Sequence, residues 1–198
     1  MKNFILLTFC LFYILGCAPL LASNSMEKTD YLTVQQWPDA EKNIKTNKLT
    51  FAFLTFELPD FLSSDITIFN STTPSMVLSI NQDRKREIYL IAQTEESVIG
   101  ILHEKLGTKT SYEFFEKIGQ KNDDSILIKV QEIFGINTAE AYIKVKNGQI
   151  TAYYIKSEDI NNRHIYVVTN NDKIIYQLSG FIDDEIYKYI LSNISVKK

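Results

Sequence analysis

The sequence predicts an α+β protein in which an antiparallel β-sheet, wound as a meander, is flanked by helices as in an α/β/α sandwich. Three observations lead to this fold class. Short runs of alternating apolar and polar residues recur in both halves of the chain, with turn residues between them. Other segments have helical spacing and clear caps. The 198 residues are 45% hydrophobic and include 12 Phe, 11 Tyr and 1 Trp, which excludes a disordered or collagen-like chain.

The N-terminal segment has the pattern of an export signal. Lys2 precedes an uncharged run of twelve mostly apolar residues, from Phe4 to Leu15. At a helical rise of about 1.5 Å per residue the run is about 18 Å long. The hydrocarbon layer of a bilayer is roughly 30 Å thick. The run therefore predicts a signal peptide, residues 1–16, rather than a permanent membrane span.

The signal ends in Ile14-Leu15-Gly16-Cys17, which resembles the bacterial lipobox. The resemblance implies cleavage before Cys17 and attachment of acyl chains, such as palmitate, that hold the protein at a membrane. In Gram-negative lipoproteins, a residue other than aspartate directly after the lipidated cysteine suits sorting to the outer membrane. Ala18 is such a residue. The alternative is an ordinary signal-peptidase cut after Ala22 or Ser23, which would release a secreted or periplasmic protein.

Beyond the signal, the chain divides into a tether and one domain. Residues 17–48 are predicted to be the lipidated N-terminus and a tether, and residues 49–198 a single α+β domain. If the chain is cut before Cys17, the mature protein keeps no free thiol, because Cys10 leaves with the signal and Cys17 is acylated. This excludes a disulfide, a zinc–thiolate site and a cysteine nucleophile. The formal net charge of -3 excludes the basic footprint of a nucleic-acid-binding protein.

The first half of the predicted domain is rich in strands. Residues 49–58 alternate between two faces and predict one strand, which Pro59 ends. Three shorter runs follow, at 65–69, 76–80 and 87–91, with turn residues between them. They predict an antiparallel meander.

The middle of the chain contains residues that typically begin and end helices. Thr94 is a predicted N-cap, and Gly107 is the predicted terminator of the same helix. Its predicted buried stripe is Val98, Ile101, Leu102 and Leu106. A second helix is predicted from Thr110 to Gly119, with a capping box at its start. Residues 124–134 fit a helix after an aspartate cap and also fit strand alternation, so both assignments stay open.

The C-terminal third predicts four strands and a last helix. The predicted strands are 141–146, 150–155, 165–168 and 174–178. The first two meet across Asn147-Gly148, a pair typical of a type I′ hairpin turn because both central residues then have positive φ. The last helix is predicted from Asp183 to Ile194.

This C-terminal region resembles the closing meander and helix of PsbP/Mog1-like α/β/α sandwich proteins. The resemblance lies in residues 165–168 and 173–180 and in a terminal helix that ends at 190–194. The strand from Phe51 to Pro59 is similar to the opening strand of that fold. The resemblance implies a fold used for protein binding and assembly, and it carries over no catalytic residue.

Residues for catalysis are scarce. His103 and His164 are the two histidines, and neither has a second histidine four residues away. The sequence contains no His-Glu-x-x-His, no Gly-x-Ser-x-Gly and no glycine-rich phosphate loop. Carboxylates cluster at 95–96, 123–124 and 183–185, and each cluster lies at a predicted helix start, where negative charge offsets the helix dipole. Calcium at either of the last two clusters is the alternative.

Two surfaces are candidates for contact with a partner. Tyr142, Tyr154 and Tyr166 predict an exposed aromatic face on the sheet, since tyrosine offers large contact area at low entropy cost. The alternative is that these rings pack across strands. The run Arg84-Lys85-Arg86 either contacts anionic lipid head groups or a phosphorylated surface, or is a solvated turn.

The leading hypothesis is a lipid-anchored, non-enzymatic envelope protein that binds an unidentified envelope protein or helps to assemble a complex, with no cofactor and no metal. One alternative is a peripheral hydrolase that combines dispersed carboxylates with His103 or His164. A histidine and a carboxylate brought together in a concave pocket would favour it. The other alternative is a small-ligand carrier with an apolar cavity beneath the sheet.

Overall fold

The computed structural model describes residues 30–39, 44–69, 72–170 and 173–197. In chain order the strands are β1 (Leu32–Val34), β2 (Thr46–Phe51), β3 (Leu54–Pro59), β4 (Ile66–Phe69), β5 (Ser75–Ser79), β6 (Glu87–Thr94), β7 (Ala141–Asn147), β8 (Ile150–Lys156), β9 (Arg163–Thr169), β10 (Ile174–Gly180) and β11 (Ile194–Val196). The helices are α1 (Asp60–Ser63), α2 (Glu95–Val98), α3 (Leu102–Leu106), α4 (Ser111–Ile118), α5 (Ser125–Ile133) and α6 (Asp184–Ser192).

An eight-stranded sheet forms the centre of the fold, in the order β1-β7-β8-β9-β10-β6-β5-β4. Strand β1 pairs in parallel with β7, and the other neighbouring pairs are antiparallel. Short turns join most of the antiparallel neighbours, because antiparallel strands, unlike parallel ones, can be connected by a hairpin. The predicted meanders, β4-β5-β6 and β7-β8-β9-β10, are both confirmed.

Each face of the large sheet is covered by its own layer. On one face lies a three-stranded sheet, in the order β11-β3-β2, together with α1 and α6. On the other face, α2 to α5 pack over the half of the sheet that contains β7 to β10. Because successive residues of a strand point to opposite faces, Tyr154 lies in the first core and its neighbour Tyr153 in the second. The predicted α+β class is confirmed, with a small sheet added to one outer layer.

The predicted strand over 49–58 is wrong in one respect: it is a hairpin. Phe51 pairs with Leu54 across a two-residue turn, in which Ala52 has a φ of 51° and Phe53 is exposed. The alternation of side chains continues through this turn, which has neither glycine nor proline, so the sequence pattern does not reveal it. The sheets also include β1 and the start of β2, which lie within the predicted tether, so the ordered domain begins before residue 49.

Most of the predicted helix ends are confirmed. Thr94 accepts a hydrogen bond from the Ser97 amide, and Gly107 closes α3 with a left-handed φ of 66°. The predicted single helix is nevertheless split at Gly100, whose φ is 42°. As a result Ile99 is buried, whereas Ile101, which was predicted to be buried, is exposed. Residues 125–133 form a helix, which settles the assignment that the sequence left open.

Two C-terminal details differ from the predictions. The first hairpin turns at Gly148-Gln149, and Asn147 remains in the strand, paired with Ile150. Gly148 has a φ of 56°, so the positive φ falls at the first central position, as in a type II′ turn. The last helix ends at Ser192, and Ile194 belongs to β11, which pairs with β3.

Candidate functional site

The predicted lipid attachment site, Cys17, lies outside the described residues. The same holds for the lipobox and the signal peptide, whose status remains that of a prediction. Within the described ranges, no helix is both long and apolar enough to cross a membrane.

The predicted aromatic partner face is wrong, because all three of its rings are buried. Tyr142 and Tyr154 are 1% exposed, and Tyr166 is 7% exposed. They do not share a face either: Tyr154 lies in the core beneath the small sheet, whereas Tyr142 and Tyr166 lie beneath the helices. Burial raises the pKa of Tyr154 and of Tyr166 to about 12. These strands are covered on both sides, so period-two alternation does not distinguish an exposed face here.

A polar cluster forms around His103, in the layer of helices. Its Nε2 atom lies 3.2 Å from Oε1 of Glu95, and its Nδ1 atom lies 2.9 Å from Oγ1 of Thr108. The hydroxyl of Ser111 donates to the same oxygen of Glu95, at 2.7 Å. The imidazole also packs edge-on against Phe114, with ring centroids 6.0 Å apart. The cluster joins residues from α2, α3 and the start of α4.

The hydrolase alternative named His103 together with dispersed carboxylates, and the structure brings one of those carboxylates, Glu95, to His103. Both ring nitrogens of His103 already have partners within hydrogen-bond distance. The Ser111 hydroxyl donates to Glu95 and not to the imidazole. The cluster fastens three short helical segments to one another, because each polar group satisfies another.

His164 lies on β9, on the same side of the large sheet as the helices. Its Nε2 atom is 3.2 Å from Oδ1 of Asn162, and its Nδ1 atom is 3.5 Å from Nε2 of Gln177. Burial lowers the pKa of His164 below its ordinary value of 6.5, because desolvation disfavours the charged form. Both of these hydrogen-bond partners are side-chain amides, and the imidazole also stacks on the Tyr166 ring, with centroids 6.4 Å apart.

The carboxylate clusters at 123–124 and 183–185 lie at helix starts, as the sequence predicts, and each supplies the N-cap. Asp124 accepts a hydrogen bond from the Ile126 amide at 2.8 Å, and Asp183 accepts one from the Ile186 amide at 2.7 Å. Both are N-caps of the helices that follow. In the part of the chain that the structure describes, no three His, Cys, Asp or Glu residues lie close enough to hold a metal ion.

Strand β4 lies at one edge of the central sheet and carries exposed apolar side chains, which sequence reasoning missed. Ile68 is 67% exposed and Phe69 is 50% exposed, and Tyr89, two strands away, is 45% exposed. We call these three residues, with Thr67, the β4 edge surface. Phe69, Thr67 and Tyr89 lie on the same face, because Thr67 pairs with Val77 and Val77 pairs with Tyr89.

Among the described residues, no strand pairs with the outer side of β4. The Ser79 amide donates to the Asp65 carbonyl at 3.0 Å, so these two residues form a hydrogen-bonded pair of the antiparallel ladder. Since such pairs alternate along a ladder, the amide and carbonyl groups of Ile66 and Ile68 point away from β5. The strand Ile-Thr-Ile-Phe contains no charge and no proline, the usual protection of an exposed edge.

Comparison with known proteins leaves the family open. No protein-family model matches the chain, and no curated protein matches it. Among solved structures, it is similar to a protein from Bacteroides thetaiotaomicron VPI-5482, with a TM-score of 0.39 and 14% sequence identity. That alignment covers 78% of this chain and 50% of the other, so this chain spans half the length of its neighbour. A TM-score this low does not establish a shared fold.

Proposed function

We propose that this protein is a non-enzymatic, lipid-anchored protein of the cell envelope that binds another envelope protein through the β4 edge surface. A partner would add an extended strand to β4 and cover Ile68 and Phe69 with its own side chains. In this mode, main-chain hydrogen bonds supply affinity and the flanking side chains supply specificity.

The observation that carries the proposal is the open, uncharged edge of β4. Exposed sheet edges invite pairing with other chains, and proteins that stay monomeric usually guard them with lysine, proline or a bulge. Here the edge carries two large apolar side chains, one on each face of the sheet, because Ile68 and Phe69 are successive residues. Exposed apolar side chains on both faces of an edge strand favour the addition of a partner strand over an ordinary solvated edge.

The anchoring part of the proposal rests on the N-terminal sequence. The signal-like run and Ile14-Leu15-Gly16-Cys17 favour export followed by lipidation of Cys17. The anchor would hold the domain at a membrane without crossing it, in the outer membrane if the cell is Gram-negative. The non-enzymatic part is supported by the motifs missing from the sequence and by the occupied ring nitrogens of His103.

Site-specific photo-crosslinking in cells tests the contact surface. A photoreactive residue replaces Ile68 in one variant and Ile101, which is also a large exposed isoleucine, in a matched control. We expect one discrete crosslinked protein from position 68 and none from position 101. The same products from both positions, or no product from position 68, would contradict the proposed surface.

Metabolic labelling with palmitate tests the anchor separately. The label should enter the purified wild-type protein and should be absent from Cys17→Ser, which should also leave the membrane fraction. An unlabelled wild-type protein with a free Cys17 thiol would refute the anchor, whatever the crosslinking result.

A further inference from the structure

A small cavity opens at one end of the large sheet, where three connections meet. Strand β5 ends and β6 begins at this end, and β10 also ends there, because Gly180 pairs with Ile88 and the Phe181 amide donates to the Glu87 carbonyl at 2.9 Å. The cavity has a volume of about 240 Å³. This is below the size of typical drug-sized sites, so it suits a smaller ligand.

One part of the cavity wall is apolar. Phe61 of α1, Ile80 of the β5–β6 connection and Ile186 of α6 line it. Ile80 and Ile186 are buried, and Phe61 packs edge-on against the buried Tyr189. These side chains are held by the main core, so the apolar wall is rigid.

The rest of the wall carries opposite charges that do not pair with each other. Arg86 lines the cavity together with Asp183 and Glu185. No ion pair within 4.0 Å joins Arg86 to either acid, although all three are described residues. Opposite charges that share a cavity without touching would both be satisfied by a ligand that carries a cation and an anion.

Arg86 is held in place and yet lacks a hydrogen-bond partner. Its guanidinium stacks over the ring of Phe181, 4.3 Å from the centroid. Its Nε–H is buried and donates to no group of the described residues. A buried donor without an acceptor is costly, so the position of this guanidinium is itself an unusual feature of the fold.

The connection that carries Arg86 is tightly folded. The Ile80 amide donates to the Arg86 carbonyl at 2.9 Å, and the Arg86 amide donates to the Asp83 carbonyl at 2.9 Å. Asn81 and Gln82 both have left-handed φ angles, of 52° and 60°. Such angles strain residues other than glycine, and strained backbone often occurs where a side chain must be positioned for binding.

We propose that this cavity binds a free apolar α-amino acid as its zwitterion. The carboxylate would lie against the Arg86 guanidinium, and the ammonium group would lie against Glu185. The free carboxylate oxygen of Asp183, whose other oxygen caps α6, is a second acceptor for the ammonium group. The apolar side chain would pack against Phe61 and Ile186. This site is separate from the β4 edge surface and does not depend on a protein partner.

Isothermal titration of the full chain in detergent with L-leucine tests the proposal. Two analogues serve as matched probes: N-acetyl-L-leucine lacks the ammonium charge, and L-leucinamide lacks the carboxylate. We expect each analogue to bind at least about tenfold more weakly than L-leucine, since each loses one charge-assisted contact. Absence of L-leucine binding at about 10 mM, or equal binding of all three compounds, would overturn the proposal.

Two pairs of variants locate the site. Arg86→Gln and Glu185→Gln should each weaken L-leucine binding by about tenfold or more. The controls Arg84→Gln, in the same connection, and Glu132→Gln, on the exposed face of α5, should bind as the wild type does. If Arg86→Gln fails to fold, Glu185→Gln still decides the matter, because Glu185 is exposed. Unchanged affinity in Glu185→Gln would refute the assignment of the ammonium contact.

Discussion

Replacing Gln131 by leucine should lower the free energy of unfolding by about 2 kcal/mol, although the two side chains are similar in size. Gln131 is a buried polar residue of α5, only 2% exposed. Its Nε2 atom donates to the Ile118 carbonyl at 2.9 Å and to the Gln120 carbonyl at 2.8 Å. These carbonyls lie at the end of α4, where a helix has no partners for its last acceptors.

The magnitude follows from those two hydrogen bonds. Each buried carbonyl left without a donor costs about 1 to 2 kcal/mol. Leucine recovers about 1 kcal/mol of that by burying its extra apolar surface. The net loss is therefore about 2 kcal/mol. Gln131→Glu should be worse at neutral pH, because it places a negative charge against two acceptors in a buried site.

Urea denaturation, followed by the fluorescence of Trp37 and by circular dichroism, measures the change. With a denaturant slope of about 2 kcal/mol per M, the midpoint should fall by about 1 M. The matched control is Gln120→Leu, whose side chain is exposed and whose carbonyl is kept. It should stay within about 0.5 kcal/mol of the wild type. A Gln131→Leu protein as stable as this control would refute the account of Gln131 as the cap of α4.

Two further predictions concern the core and the pH dependence of stability. Phe115 is fully buried and stacks on Tyr153 with ring centroids 4.9 Å apart. Phe115→Ala should therefore lower the free energy of unfolding in urea by about 4 kcal/mol. The control Phe53→Ala, at an exposed turn, should lower it by less than about 0.5 kcal/mol. Because the pKa of His164 is lower in the folded protein than the 6.5 of the unfolded chain, stability should be full above pH 6.5 and should fall as the pH drops below it. His164→Asn should show a flatter profile between pH 7 and 5, and an unchanged slope would contradict that role.

Sequence reasoning was most successful where the controlling interactions are local. Each N-cap accepts a hydrogen bond from an amide three residues later in the chain, so it can be recognised from the adjacent sequence. This holds for Thr94, Thr110 and Asp183. The strands around Asn147-Gly148 were recognised for the same reason, although the turn itself is shifted by one residue. Gly100 shows the limit: a single glycine within a helical pattern is often tolerated, and here it divides the helix.

The candidate sites depended on contacts that the sequence does not display. The pattern of Tyr142, Tyr154 and Tyr166 fits both an exposed face and packing across strands, and in the structure two different layers cover them. Ile68 and Phe69 were recognised as a strand, but the order of strands alone places that strand at the edge of the sheet. The distances between Arg86, Asp183 and Glu185 along the chain give no sign that they share a cavity.

The sequence by itself indicated most of the segments that become strands or helices, because φ and ψ preferences, caps and side-chain period act over a few residues. It also supplied the whole case for export and for lipidation of Cys17. The tertiary structure alone decided which side chains are buried, which strand lies at the edge of the sheet and which charges line the same cavity. Those outcomes depend on pairings between residues far apart in the chain, such as β1 with β7 and β10 with β6, which no local pattern encodes.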